Sequence, residues 1–146
     1  MEHSQECKEI FEAFSKAQSE IAQPTLDGSA NIGGKFSFKY ATLGEVQKCI
    51  KQANAKYGLA ITQDDVVIDS HLYLMTLIIH SSGQWIKYIS PYVGNYKADC
   101  KQFGATKTCL RRYALYGIYN LYGQEDGDIK ALESTPEETQ KNIGDA

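Results

Sequence analysis

The chain has 146 residues, 42% of them apolar and 23% charged, a size that holds one core, or one core with a tail, and excludes a multidomain enzyme. Its net charge of −3 hides a segregation: residues 1–34 carry −4 and residues 124–146 carry −5. Residues 35–123 hold eleven Lys and Arg against five acids, so a basic middle of +6 is expected to meet a polyanion.

In chain order, Ile10, Phe11, Phe14, Ala17 and Ile21 recur at helical spacing up to Pro24 and predict an amphipathic helix over residues 4–22. Residues 24–35 concentrate Gly, Pro, Asp, Ser and Asn, which predicts a mobile loop long enough to carry function. Thr42 and Glu45 form a capping box for a helix running to about Lys56, with Leu43, Val46, Cys49, Ile50 and Ala53 inward and Tyr57-Gly58 as its stop. A short strand is expected over 59–63 and a longer β segment over 66–80. The turn Ser81-Ser82-Gly83 folds the latter onto a strand over 84–93. Leu72 to Ile79 is apolar on both alternating faces, which predicts a helix on one side and a neighbouring subunit on the other.

A last helix is predicted over 99–122. On a helical wheel Cys100, Phe103, Leu110, Ala114, Gly117, Ile118 and Leu121 share one face, with Lys97, Lys101, Arg111 and Arg112 beside it. Tyr113, Tyr116, Tyr119 and Tyr122 follow at intervals of three. Residues 124–146 lose aromatics and gain acids, so they are set apart as an acidic, weakly ordered tail behind a domain over 1–123.

No run approaches the ~20 apolar residues that span a bilayer. The acidic opening around Glu2, Glu6 and Glu9 lacks the basic-then-apolar order of a secretory signal, so a cytoplasmic protein is expected. Cys7, Cys49, Cys100 and Cys109 form no CxxC pair and have no His at zinc spacing, which predicts reduced thiols. His3, His71 and His80 build no nucleophile–base pair, and no glycine cluster forms a phosphate loop, so neither covalent catalysis nor ATP is implied. Glu125, Asp126 and Asp128 offer carboxylates to Mg²⁺, the basis of one alternative, a metal-dependent nuclease.

Lys97, Tyr96, Lys101, Lys107, Arg111, Arg112 and Tyr113 interleave cations and aromatic rings, the pairing that holds phosphates and stacks bases of a single strand. The same residues also fit tyrosines in a core and cations on a solvated face, or a basic surface that meets an acidic protein.

Three stretches bear on this choice: Phe38-Lys39-Tyr40-Ala41-Thr42-Leu43, Gly58-Leu59-Ala60-Ile61-Thr62-Gln63, and Gly104 to Ile118 with Leu110-Arg111-Arg112-Tyr113-Ala114-Leu115, closing on Glu125-Asp126-Gly127-Asp128. Together they resemble the Erf (essential recombination function) family of phage single-strand annealing proteins. The resemblance implies an α+β fold, a β-hairpin-rich antiparallel sheet backed by helices, similar to Rad-type annealing recombinases. It implies ATP-independent binding of single-stranded DNA and annealing of complementary strands in a bacterial host's cytoplasm, with no cofactor and no catalysis. The expected assembly is a ring or filament of identical subunits, with a host or phage single-strand-binding protein as a further partner. The DNA-contacting residues would be Lys39, Tyr40, Lys97, Lys101, Lys107, Arg111, Arg112 and Tyr113.

Overall fold

The computed structural model describes residues 1–123 apart from 33, 35, 95 and 98. Three long strands make the centre of the main sheet: β4 (Leu59–Ile68), β5 (His71–His80) and β6 (Trp85–Pro91), with the two-residue β1 (Glu2–His3) added at the outer edge of β6. All pairings are antiparallel, in the order β1-β6-β5-β4. A separate hairpin pairs β2 (Gly28–Ile32) with β3 (Phe36–Tyr40). The helices are α1 (Lys8–Glu20), α2 (Leu43–Lys56) and α3 (Cys100–Tyr119). The α+β class and the hairpin-rich antiparallel sheet backed by helices are therefore as expected.

Register explains which side of the sheet is covered. Ile61 lies opposite Ile78 and Ile78 opposite Ile86, so these side chains share a face, as do Gln63, Thr76 and Tyr88 one step along. This face carries the helices, and Leu74, Thr76 and Ile78 are completely buried on it together with Ile10, Val46 and Ala17 from the helices. Each Leu or Ile removed from water contributes ~1.5–3 kcal/mol, so this layer holds the helices to the sheet. The opposite face presents Tyr73, Met75, Leu77, Ile79, Trp85 and Ile89, and among the described residues no helix is packed over it; Ile79 remains 40% and Ile89 37% exposed.

Several predicted boundaries are corrected. The segment over 66–80 is not one strand: Asp69 and Ser70 both take positive φ (50° and 64°) and turn β4 into β5, so the strand expected over 59–63 extends to Ile68. The loop expected over 24–35 contains β2, whose partner β3 was not foreseen. The first helix starts at Lys8 rather than at residue 4, because Glu2–His3 pair with Lys87 and Ile86, and Ser4 N–H bonds the Trp85 carbonyl at 3.0 Å. No side chain caps α1 from Cys7; the buried Gln84 reaches over from the β5–β6 turn and accepts from the Ile10 N–H at 2.9 Å.

The second helix is as predicted in extent and inward face, with its cap modified. The Thr42 hydroxyl accepts from the Glu45 N–H at 3.4 Å, but the reciprocal acceptor is Asp27, whose carboxylate takes the Thr42 N–H at 2.9 Å and hydroxyl at 3.0 Å. These bonds hold the Asp27 carboxyl below its ordinary value. In the third helix the predicted apolar face is only half-buried, and Cys100 and Gly117 are exposed. Its deepest residues are Leu115 and Tyr119, which face the other helices. Among the described residues no helix is long and apolar enough to cross a membrane. The expected tail over 124–146 lies outside the described residues.

Candidate nucleic-acid interface

A three-residue interval drifts by about 60° per step on a 3.6-residue helix, so Tyr113, Tyr116 and Tyr119 of α3 meet different surroundings, while Tyr122 lies beyond the helix end. Tyr113 is exposed and Tyr116 half-buried, while Tyr119 is 1% exposed and accepts from Asn54 Nδ2 at 2.9 Å. Burial pushes the Tyr119 hydroxyl far above the usual phenol range. Tyr116 Oη donates to the carbonyls of Ala41 and Gly123, at 2.9 and 3.0 Å, and the Ala41 N–H bonds the Gly123 carbonyl at 2.7 Å. Burial raises the Tyr116 pKa to about 12, with the Arg112 charge opposing. These bonds tie the end of β3 to the end of α3.

That joint brings Tyr40 to α3. The Arg112 guanidinium lies 4.4 Å from the centre of the Tyr40 ring and 5.4 Å from that of Tyr113, a cation between two rings. The Arg112 Nε is buried with no hydrogen-bond partner. The Tyr40 ring also covers Gly28, where a Cβ would stand 2.6 Å from it, so a larger residue there would push the ring out of this position. Of the eight predicted residues, Tyr40, Arg112 and Tyr113 thus form one cluster, with Lys39 next to them on the exposed side of the hairpin.

The remaining cations divide. Arg111, about 100° round the helix from Arg112, turns toward the sheet: its Nε donates to Gln63 Oε1 at 3.3 Å, and Gln63 Nε2 donates to the Arg111 carbonyl at 3.2 Å. Lys107 pairs with Asp65 at 2.9 Å, both side chains being less than a third exposed. Asp65 also accepts from Tyr92 Oη, at 2.5 Å, and burial with that carboxylate drives the Tyr92 pKa strongly upward. Lys107 is therefore neutralised inside the fold. Lys101 is exposed on the first turn of α3. Lys97 lies 5.7 Å over the Tyr96 ring, the outermost of an aromatic row in which Tyr96 meets Tyr92 at 5.4 Å and Tyr92 stacks on Phe103 at 5.8 Å.

Sequence reasoning did not find Asp27, Gln63, Asn54 or Asp65, which position the residues above. Each is a polar residue whose partner lies 13 or more positions away, so no local pattern marks it. The four cysteines are free. Glu125, Asp126 and Asp128 lie outside the described residues, and among the described ones no group of three metal-ligating side chains comes together.

The family model of the ERF superfamily matches residues 10–145. The chain belongs to the ERF superfamily. Membership agrees with the motif-level resemblance and gives the protein a general role in phage-type single-strand annealing and recombination. No curated protein and no solved structure matches the chain. In this ERF chain the first and third motifs meet in space, through the bonds among Ala41, Tyr116 and Gly123 and the Tyr40–Arg112 contact.

Proposed function

We propose that the protein binds single-stranded DNA without nucleotide hydrolysis and anneals complementary strands as an oligomer, acting as a binding protein rather than an enzyme. The ERF match over residues 10–145 carries this reading. The geometry supports it. Lys101 and Arg112 are eleven residues apart, about three turns, so they stand on one side of α3 roughly 17 Å from each other. Between them on that side are the small residues Ala105 and Thr108. A strand laid along this track has its phosphates on the cations and one base on Tyr113, while its other bases point outward to pair.

The bare apolar face of the main sheet supports assembly, since a run of large side chains such as Ile79, Ile89 and Ile68 in water favours burial against another subunit. A ring or filament then aligns many nucleotides, and pairing begins at high local concentration. No covalent step is needed. The test is annealing of labelled complementary oligonucleotides with ATP omitted and divalent metal chelated. Annealing at the uncatalysed rate, or tighter binding to duplex than to single strand, would overturn the proposal.

A further inference from the structure

A second feature borders the Arg111 side of the helix. A cleft of about 380 Å³ opens between α2, β4 and α3. Its floor is formed by the core residues Ile50, Leu59 and Leu115, each 6% exposed or less, its sides by the half-buried Ile61 and the exposed Ala55 and Ala60, and two cations, Lys51 and Arg111, stand at it. No carboxylate lines it, and among the described residues neither cation has an ion-pair partner. Arg111 is held in place: Gln63 fixes its Nε, and Gln63 is itself fixed by Thr76 Oγ1 at 3.0 Å and by the Arg111 carbonyl. Its terminal guanidinium nitrogens, the ones that form a fork for phosphate, are left over. Asn54, 3% exposed, also borders the cleft; its Nδ2 is used by Tyr119 and its Oδ1 has no partner. Whichever way that amide is turned, one of its polar atoms is unsatisfied.

A cleft with an apolar floor, a preset guanidinium, an ammonium and an unsatisfied amide suits a flat ring that carries polar edge atoms and is joined to an anion. We propose that this cleft takes in one nucleotide of the bound strand, its base over the apolar floor against Ala55, Ala60 and Ile61 and its phosphate on Arg111 and Lys51. The volume falls in the range of small-molecule sites, which begins at ~300 Å³. The proposal rests on the single-strand reading above and adds to it a nucleotide that each subunit withholds from pairing until annealing releases it.

The test uses the full chain and fluorescence anisotropy with labelled oligo(dT) and an abasic strand of equal length. The wild type is expected to prefer oligo(dT) by more than about tenfold, the base on Tyr113 and the base in the cleft both contributing. Ala55→Trp, at an exposed helix position on the cleft wall, should remove the cleft's share of that preference, a fall of several-fold, while the share from Tyr113 remains and abasic binding is unchanged. Lys51→Ala, also exposed, should weaken both strands alike and reduce the salt dependence. Free dTMP should not displace oligo(dT) at micromolar concentration; displacement there would make the cleft a free-nucleotide site and overturn its assignment to DNA. An Ala55→Trp protein that melts normally yet keeps the full preference, or a wild type with no preference, overturns the inference while single-strand binding stands. A wild type that binds neither strand overturns the proposed function itself.

Discussion

Replacing Arg112 with Ala separates the two jobs that its position gives it. In the fold, the guanidinium sits 4.4 Å from the Tyr40 ring and 5.4 Å from the Tyr113 ring. Two partly solvated cation–π contacts are worth ~1–2 kcal/mol together. Against that, the buried Nε has no partner, and removing an unsatisfied donor returns ~1 kcal/mol or more. The net cost is about 0–1 kcal/mol, a fall in Tm of no more than about 5 °C for a domain of this size. On DNA, a charge-assisted bond to phosphate is worth ~1.5–3 kcal/mol, so affinity should drop about 10- to 150-fold. The slope of log affinity against log salt should flatten by ~0.7, the share of one phosphate on a single strand. Anisotropy titrations at several salt concentrations, run beside thermal melts, read both quantities. Arg112→Lys keeps the charge and loses the planar stack, so it should preserve the slope while still weakening binding. Wild-type affinity and slope in Arg112→Ala, or a fall in Tm above ~10 °C, would refute the reasoning and make the residue structural.

Lys107→Ala should behave in the opposite way: it strands the Asp65 carboxylate beside Tyr92, lowers stability by ~1 kcal/mol in a denaturant titration, and changes oligonucleotide affinity less than about twofold. Tyr119→Phe leaves the buried Asn54 amide without its acceptor and should cost ~1–3 kcal/mol by the same measurement. The Asp27 carboxyl is depressed below its ordinary 3.8 by the Thr42 bonds, so its stabilising contribution is complete above that value and is lost as pH falls through the folded one. Melting temperature should therefore decline below about pH 4, and less steeply in Asp27→Asn, in a series of melts across acidic buffers. Ile79→Lys places a charge on the bare sheet face and should shift light scattering toward the 16.3 kDa monomer without lowering Tm appreciably; unchanged assembly would clear that face of a role in it.

The helices were legible because their signals are local. Thr42 and Glu45 lie three residues apart, and Gly58 at φ 71° stops α2 where a left-handed residue was expected. The β2–β3 hairpin was hidden by composition: Gly, Ser and Asn read as loop, and the pairing of Ala30 with Phe38 shows no period within so few residues. The turn at Asp69-Ser70 escaped for a related reason, as it lacks the glycine that usually marks two positive φ angles and has apolar runs on both sides. At the site, Arg111 and Arg112 look equivalent in sequence. A helix sends adjacent residues about 100° apart, and here that difference puts one against Gln63 and the other between two rings.

The motifs that carry the ERF resemblance consequently do mostly structural work, and on the proposed function contact with DNA would be the smaller share. In the first motif Ala41 is fully buried and bonded to Gly123, and Thr42 caps α2 and binds Asp27. In the third, Leu115 is core and Tyr116 locks the chain after β3. Tyr40 and Arg112 also link the motifs, by a side-chain contact that on the proposed function would border the bound strand. The flanking cations Lys97 and Lys101 lie outside the motifs and have no part in the joint. A chain could therefore keep the motifs, and with them the fold and the Tyr40–Arg112–Tyr113 cluster, while changing the charge along the rest of α3. On the proposed function the motifs would fix where a strand is gripped, and the surrounding cations would set how tightly and with what salt dependence it is held.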